Sequence, residues 1–531
     1  MDQTTPRWLA PALLIAATAL VHANGAGNGF VWDDASIVVE NPDTRDLSRL
    51  GHVLLSPDET PPYYRPLNRA SYLVDYQLFG MDARGYHAVN MLLQAACALA
   101  MYALGRRVFE ARWPALLAGL LLAVHPLHTE AVAFVSARNN LFALIFGLLS
   151  LALFIDAARL RSWGRSALSA VAFFLALASK EQGAMVLPLL AAWILLPVFP
   201  GQRARRDRWK LLLPHSAALL AYAVLRTIAL GGPVASTGIL QGLGERLAQN
   251  WFVLPAYLRL AVFPRGLTVF HEVPAEFARV GWLPFAWVFI LAALVYLVRR
   301  PSVASTLGLL WFALNLLPIV NIIPIPSTVM AERFFHASAA GLWLVAADAA
   351  WRLSRVVPRR GVLAVAAVVV VALGVRTLLR NRDWSDDVTL FRSAVRADGG
   401  SLLAHFNLGV ALKDAGDLDG ARREWEAALA IKPDDPGTHA QLGTALAVQG
   451  DLAAAESHYR AALRGNPRLE EARFNLGRIC ERTGRFAEAR GYYEGVLEGP
   501  PPPDAALASQ ARERLTRLGQ PPSREGSVTG R

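Results

Sequence analysis

Two adjacent carboxylates, Asp33 and Asp34, stand in the stretch FVWDDASIVVENP (30–42), among aromatic and β-branched residues, with Arg45 the first cation after them. Neighbouring carboxylates repel, and partial removal from water raises the pKa of at least one, which puts a base near the working pH. Adjacent side chains diverge on an extended segment. One acid can therefore face a reacting hydroxyl while the other is structural or binds a metal. Asp33 is the candidate base or acceptor ligand, with Asp34 in support. Three cations could hold an oxyanion opposite them: Arg333 in PIPSTVMAERFFH (324–336), Lys180 in ASKEQ (178–182) and Arg65 in YYRPLNRASYLVDYQLFG (63–80). Arginine offers a planar fork matched to phosphate oxygens, and lysine a point charge. His125 and Glu130 in HPLHTEAV (125–132), Arg138 after them, Glu181 and Glu332 are candidates to line the same pocket.

Each candidate has a plainer reading. Asp33 and Asp34 could cap a helix, and Arg333 and Lys180 could reach for lipid headgroups or pair with Glu332 and Glu181. His125 and Glu130 could form a hydrogen-bonded polar cluster at a helix end. The pairs Tyr63–Tyr64 and Phe334–Phe335 fit membrane-interface anchors better than sugar platforms. Asp33, Asp34, His125 and Glu130 carry donors that suit a divalent metal, although no fixed ligand spacing supports one. Walker, Rossmann and Gly-x-Ser-x-Gly signatures are absent, so no motif calls for a nucleotide or a serine nucleophile.

The elements that must position these residues are of two kinds. The 531 residues are 54% hydrophobic and 18% charged, with a mean hydropathy of +0.32, but these are averages over unlike parts. From Trp8 to about Leu379 long apolar runs alternate with short basic loops. Runs near the ~20 residues needed to cross a bilayer make residues 1–380 a polytopic membrane domain. The net charge of +11 falls mainly in those loops and sets orientation, so it does not argue for nucleic acid. Four of 53 cations are lysine, as in proteins of GC-rich, bacterial genomes. Cys97 and Cys480 lie in different parts, which argues against a disulfide or a cysteine metal site.

Cytoplasmic loops collect Lys and Arg, so the basic loops 105–113, 159–165, 201–210, 299–302 and 351–360 are placed inside. The connections 24–85, 126–138, 180–182, 232–281 and 323–333 then fall outside, provided that RLAQNWFVLPAYLRLAVFP (246–264) lies in the interface or re-enters instead of crossing. The expectation is about eleven spans, a retained first helix, a cytoplasmic N-terminus and a large first outer loop, 24–85. All the candidate site residues then share the outer, periplasmic face of a bacterial inner membrane.

From Leu402 the sequence repeats every 34 residues, the period of tetratricopeptide helix pairs. NLG at 407–409 recurs as QLG at 441–443 and NLG at 475–477; Ala421, Ala455 and Ala489, then Trp425, Tyr459 and Tyr493, then Pro433, Pro467 and Pro501 keep register. Small residues should let the two helices of a unit approach, aromatics fill the gap between units, and prolines end the second helix. The repeats are 402–435, 436–469 and 470–503, in a domain of 384–518 that opens on a half-repeat, 384–400. A disordered tail, 519–531, follows. The fold class is all-α: a helix bundle in the membrane followed by a tetratricopeptide solenoid.

Six motifs in collinear order, FVWDDASIVVENP, YYRPLNRASYLVDYQLFG, GYHAVNMLLQ, AVHPLHTEAVAFVSARNNL, LASKEQG and NIIPIPSTVMAERFF, followed by the repeats, resemble the transmembrane O-mannosyltransferases that carry tetratricopeptide repeats. These belong to the GT-C class of polytopic glycosyltransferases. The resemblance implies transfer of a sugar, mannose or another hexose, from a polyprenyl- or dolichyl-phosphate donor to an acceptor outside the cytoplasm, with inversion. It gives Arg333, Lys180 and Arg65 the donor phosphate, and it makes the partners a membrane lipid and an acceptor protein on the repeats. Ser or Thr hydroxyls of exported proteins are the expected acceptors; an envelope glycan or lipid is the alternative. A non-catalytic membrane anchor for the repeats, or a transporter, is the reading from another class. No internal symmetry of the transporter kind is visible. The chain departs from the family pattern at Ser136–Ala137–Arg138–Asn139–Asn140, where an acid commonly follows the arginine, and at Phe335–His336, where a tyrosine is commoner.

Overall fold

The structure, a computed structural model, describes residues 6–57, 63–199, 208–232, 243–273, 280–319, 330–498 and 505–519. Part of the 201–210 basic loop, the stretch 324–329, Pro501 and the tail from 520 lie outside the described residues, as does the side chain of Arg246. The described residues form helices and no strand, with one isolated antiparallel bridge between His271 and Met330. The chain divides into two compact units, Met1–Leu390 and Phe391–Arg531, so the division falls within the segment read as a half-repeat.

In the first unit each apolar segment is a helix: Leu9–His22, Ala83–Val108, Arg112–Val124, Arg138–Leu160, Trp163–Ser179, Val186–Leu195, Leu213–Leu230, Leu283–Arg299, Val303–Leu316, Glu332–Leu353 and Arg359–Asn381. Among the described residues, length and composition qualify four spans, or five if Arg112–Val124 and Pro126–Ala133, bent by 53°, count as one. Five further apolar helices are 10–17 residues long, and Glu332–Leu353 carries Glu332, Arg333, Asp348 and Arg352. The reading of eleven spans thus goes beyond what helix length and hydropathy establish. The chain is nevertheless an integral membrane protein by its apolar helices. Pro255 sits inside Leu243–Val262, and that helix is tied to connections read as outer: the Tyr257 hydroxyl donates to the Ala331 carbonyl at 3.0 Å, and His125 Nε2 lies 3.0 Å from the Ala261 carbonyl.

Side-chain pairing sorts the connections into two sets. Arg107 pairs with Asp156 at 2.6 Å, Arg165 with the same acid at 3.4 Å, and Arg355 with Glu110 at 3.0 Å, which joins basic loops to one another. The connections read as outer meet one another separately, through Asp34 and Ser136, Arg65 and Glu181, and Glu130 and Arg333. Small residues let helices inside the bundle approach. A Cβ on Gly308 would stand 2.5 Å from the Gly341 carbonyl oxygen, so Val303–Leu316 and Glu332–Leu353 touch backbone to backbone, the arrangement by which helices associate without a hydrophobic driving force.

In the second unit the helices Leu402–Asp414, Leu418–Ile431, Pro436–Gln449, Leu452–Gly465, Glu470–Arg482 and Phe486–Leu497 are the three repeats. Asp417, Asp435 and Asp451 cap their helices by accepting backbone N–H groups, the role such side chains favour. The repeated glycine meets the repeated aromatic of its own unit. A Cβ on Gly443 would lie 3.0 Å from the Tyr459 ring, one on Gly477 2.6 Å from the Tyr493 ring, and one on Gly409 would run into the Trp425 indole. The aromatics therefore fill the space within a unit, while Tyr459 also clusters with Ala472, Leu476 and Ile479 of the next. A further helix, Ala505–Gly519, packs Leu507, Ala511, Leu515 and Leu518 on Tyr493 and Val496, as a terminal cap does.

Candidate functional site

The acidic stretch bends sharply before its first carboxylate. Trp32 has φ 54, a left-handed conformation that costs a residue with a Cβ roughly 1–2 kcal/mol. Its indole is stacked on Phe134 at 5.4 Å and meets Phe270 edge-on at 5.3 Å, and its backbone N–H donates to Asp387 at 2.7 Å. These contacts offset the strain and fix the direction in which the next two residues leave.

The two acids then part. Asp34 is fully buried and accepts hydrogen bonds from the Ser136 N–H at 2.7 Å, the Ser136 hydroxyl at 2.5 Å, the Val31 N–H at 3.3 Å and the Val135 N–H at 3.4 Å. Burial pushes its carboxyl up to about 7 against those bonds. Asp34 thus latches the 24–85 connection to the 126–138 connection, the structural role open to one of the pair. Asp33 is half-buried, and burial raises its carboxyl while the Arg333 guanidinium holds it down.

Arg333 opens the Glu332–Leu353 helix. Its backbone N–H donates to Glu130 at 2.8 Å, and its guanidinium pairs with the other oxygen of that fully buried carboxylate. The guanidinium carbon lies 5.0, 5.7 and 4.9 Å from the ring centres of Trp32, Phe134 and Phe334, within cation–π range. Lys180, half-buried between two helices, donates to Asn140 at 2.6 Å and stands 5.3 Å from the Phe334 ring. Burial, then the charge of Arg65, brings its ammonium down to about 7. Arg65 pairs with Glu181 at 2.9 Å and covers the Tyr63 ring at 4.0 Å. Asp33, Arg333, Glu130, Lys180, Glu181 and Arg65 therefore form one electrostatic group on the connections read as outer.

The other candidates serve neighbouring structure. Glu332, fully buried, accepts the Thr268 N–H at 2.7 Å and lies 3.2 Å from His271 and 3.8 Å from Arg380. It faces that set and makes no pair with Arg333. His125 Nε2 meets the Ala261 carbonyl and its Nδ1 accepts the Leu127 N–H at 3.2 Å, so it terminates a helix. Arg138 is fully buried against Asp75 at 2.5 Å, Asn90 at 2.7 Å, Ser71 at 3.0 Å and the Tyr86 carbonyl at 3.2 Å. The acid missing after Arg138 in the sequence is thus supplied by Asp75 from the Pro66–Phe79 helix, and that turn is charge-paired after all.

Most of the side chains suggested as metal ligands by residue type are committed to protein partners. Among the described residues no three His, Cys, Asp or Glu groups are grouped to hold an ion. Asp34, His125 and Glu130 have their donor atoms committed to Ser136, Ala261 and Arg333. Both cysteines are free and buried, one in each unit. Sequence reasoning gave no site role to Trp32, Phe134, Asn140, Asp75, His271 or His336. All but His271 lie in the quoted motifs; His271 is joined to the site by folding alone.

A family model described as dolichyl-phosphate-mannose-protein mannosyltransferase matches residues 72–228, and a tetratricopeptide repeat model matches 373–436 and 441–506. The chain is 25% identical over 448 residues to a Caenorhabditis elegans protein O-mannosyl-transferase, F38B6.6, with 79% of this chain and 62% of the relative covered. It is 25% identical over 485 residues to mouse protein O-mannosyl-transferase TMTC3, covering 80% and 51%. Human TMTC4 is 27% identical over 496 residues, covering 77% and 65%. The chain thus spans about half to two thirds of the length of these relatives. Among solved structures, the archaeal oligosaccharyltransferase AglB from Archaeoglobus fulgidus, in complex with an inhibitory peptide and a dolichol-phosphate, has 13% identity and a TM-score of 0.44 over 73% of this chain and 56% of that one. The family models fall on the two parts in which the motifs and the repeats were read, and the matches to protein O-mannosyl-transferases cover 77–80% of this chain.

Proposed function

We propose that this chain is an inverting, lipid-phosphate-dependent hexosyltransferase of the bacterial inner membrane. It moves mannose or a related hexose from a polyprenyl-phosphate donor to Ser or Thr hydroxyls of exported proteins. The reading is carried by one observation: a half-buried carboxylate, Asp33, stands in the field of an arginine whose guanidinium lies among three aromatic rings, with Lys180 in the same charge group. The outer set of connections is periplasmic in this reading, and the repeats engage the acceptor protein or a partner.

The chemistry follows from the charges. The acceptor hydroxyl attacks the anomeric carbon as its proton passes to Asp33. The new C–O bond forms while the bond from carbon to phosphate oxygen breaks, and the phosphate leaves with the electron pair. With Asp33 ionised, the group of three cations and three carboxylates is neutral; once Asp33 takes the proton it carries +1, opposite the charge growing on the leaving group. Glu130 holds Arg333 in place, and Asn140 holds Lys180, so little reorganisation is left for the transition state. The donor tail stays in the lipid, which fixes where the phosphate can lie.

Asp33→Asn tests the reading. Membranes holding the full chain are given a polyprenyl-phosphate sugar and envelope protein acceptors. A general base contributes about 10²–10⁴-fold, so transfer should fall by at least about a hundredfold with normal expression. Unchanged transfer would remove Asp33 as the base and the mechanism with it.

A further inference from the structure

His336, His128 and Trp343 form a chain of hydrogen bonds inside the first unit, and the proton positions in it follow from which atoms can donate. The indole Nε1–H of Trp343 can only donate, and it meets His128 Nε2 at 3.0 Å. That nitrogen must therefore carry a lone pair, so the proton of His128 is on Nδ1. His128 Nδ1 lies 2.8 Å from His336 Nδ1, and with the donor already assigned, His336 Nδ1 accepts. The proton of His336 is thereby fixed on Nε2. Both histidines are fully buried, and the Nε2 of His336 has no acceptor among the described residues. A buried N–H without a partner costs on the order of 1–3 kcal/mol, so its retention points to something that accepts from it.

Its place says what. His336 is three residues after Arg333 on the Glu332–Leu353 helix, hence on the same face and one turn further along. The Lys180 ammonium acts on its ring, and Lys180 stands 5.3 Å from the ring of Phe334, the residue after Arg333. Resting on the transferase reading above, we propose that His336 donates its Nε2–H to a phosphoryl oxygen of the lipid-borne donor, and that Trp343, acting through His128, is the positioning residue that fixes the required tautomer. A neutral N–H adds direction to the grip of the two cations without adding charge to the site. Glutamine at 336 keeps the order of acceptor and donor, because its amide oxygen can accept from His128 while its NH₂ donates. Phenylalanine keeps neither.

The test uses the full chain in nanodiscs, with imidazole-¹⁵N-labelled histidine and a polyprenyl phosphate as probe; inorganic phosphate at equal concentration is the soluble control. The free protein should show His336, identified by its loss in His336→Gln, with the proton on Nε2, and polyprenyl phosphate should shift that signal. A shift with inorganic phosphate as well would still support a phosphoryl acceptor and would assign recognition to the headgroup alone. His336→Phe should weaken polyprenyl phosphate binding about tenfold or more, and His336→Gln should stay within about twofold of the parent. Trp343→Phe should split the His128 and His336 signals between tautomers and raise the donor KM more than it lowers kcat. Equal binding by His336→Phe and the parent, or a His336 proton on Nδ1, overturns the inference and leaves the transferase reading standing. Failure of the parent to bind polyprenyl phosphate overturns both.

Discussion

Removing the Asp34 carboxylate should open the 24–85 connection without touching Asp33. In Asp34→Ala the Ser136 N–H and hydroxyl lose acceptors at 2.7 and 2.5 Å, and the Val31 and Val135 N–H groups lose longer ones at 3.3 and 3.4 Å. Ser136 and Val135 are buried, so water does not replace the lost acceptor. An unsatisfied buried group costs about 1–3 kcal/mol, and the two short bonds alone imply about 2–6 kcal/mol toward opening. At about 1.4 kcal/mol per tenfold, amide exchange through 30–40 and 135–136 should quicken by at least about thirtyfold. The wild-type loop should also respond to pH. With the carboxyl at about 7 when latched and 3.8 as its ordinary value, the latched form holds the extra proton between those limits. Latch stability therefore falls as pH rises from about 4 to about 7, by up to about 4 kcal/mol, and Asp34→Ala abolishes that dependence. Exchange mass spectrometry on the protein in detergent, corrected for intrinsic rates, reads both effects. A variant within about threefold of wild type, or a wild-type loop indifferent to pH, would refute the latch.

Lys180 titrates in the opposite sense: its ammonium, brought down to about 7, loses charge as pH rises past neutral. Donor binding should weaken above about pH 7, and Lys180→Arg, charged throughout, should flatten that alkaline limb in a pH series of donor KM. Arg138→Met strands Asp75 as a buried charge, which should cost about 3–5 kcal/mol; the further change Asp75→Asn should restore part of the lost thermal stability in detergent, and no recovery would contradict the pairing. In the repeats, the glycine contacts predict that Gly409→Ala and Gly477→Ala destabilise more than Gly443→Ala, whose Cβ would stand 3.0 Å from the Tyr459 ring, a tight contact that a small shift relieves. The larger effects should be about 1–3 kcal/mol by thermal melts, and the reverse order would contradict the packing.

The helices were legible in the sequence because hydropathy and the 34-residue period are local or strictly repeated signals. The capping helix Ala505–Gly519 was not, since it falls outside the period and its apolar positions are meaningful only against Tyr493. At the site, residue types picked out acids and cations of which the fold gathers Asp33, Arg333, Glu130, Lys180, Glu181 and Arg65 into one charge group. Which aspartate is committed to structure was decided by Ser136, 102 residues away, and no spacing rule reaches that far. Arg138 seemed to lack an acid because the family pattern places one beside it in sequence, whereas Asp75 reaches it from another helix. The His336 tautomer depends on Trp343 through His128, whose position is 215 residues from that tryptophan.

Glu130 and Arg333 are 203 residues apart in the chain. Translation proceeds at roughly 5–20 residues per second, so for about ten to forty seconds the glutamate exists before its partner has been made. A carboxylate destined for complete burial cannot enter the assembling bundle charged and alone. Until the arginine arrives, it must borrow a proton, keep its water, or be sheltered by the insertion machinery. Biogenesis of this protein thus has a vulnerable interval that ends with the arrival of the Glu332–Leu353 helix.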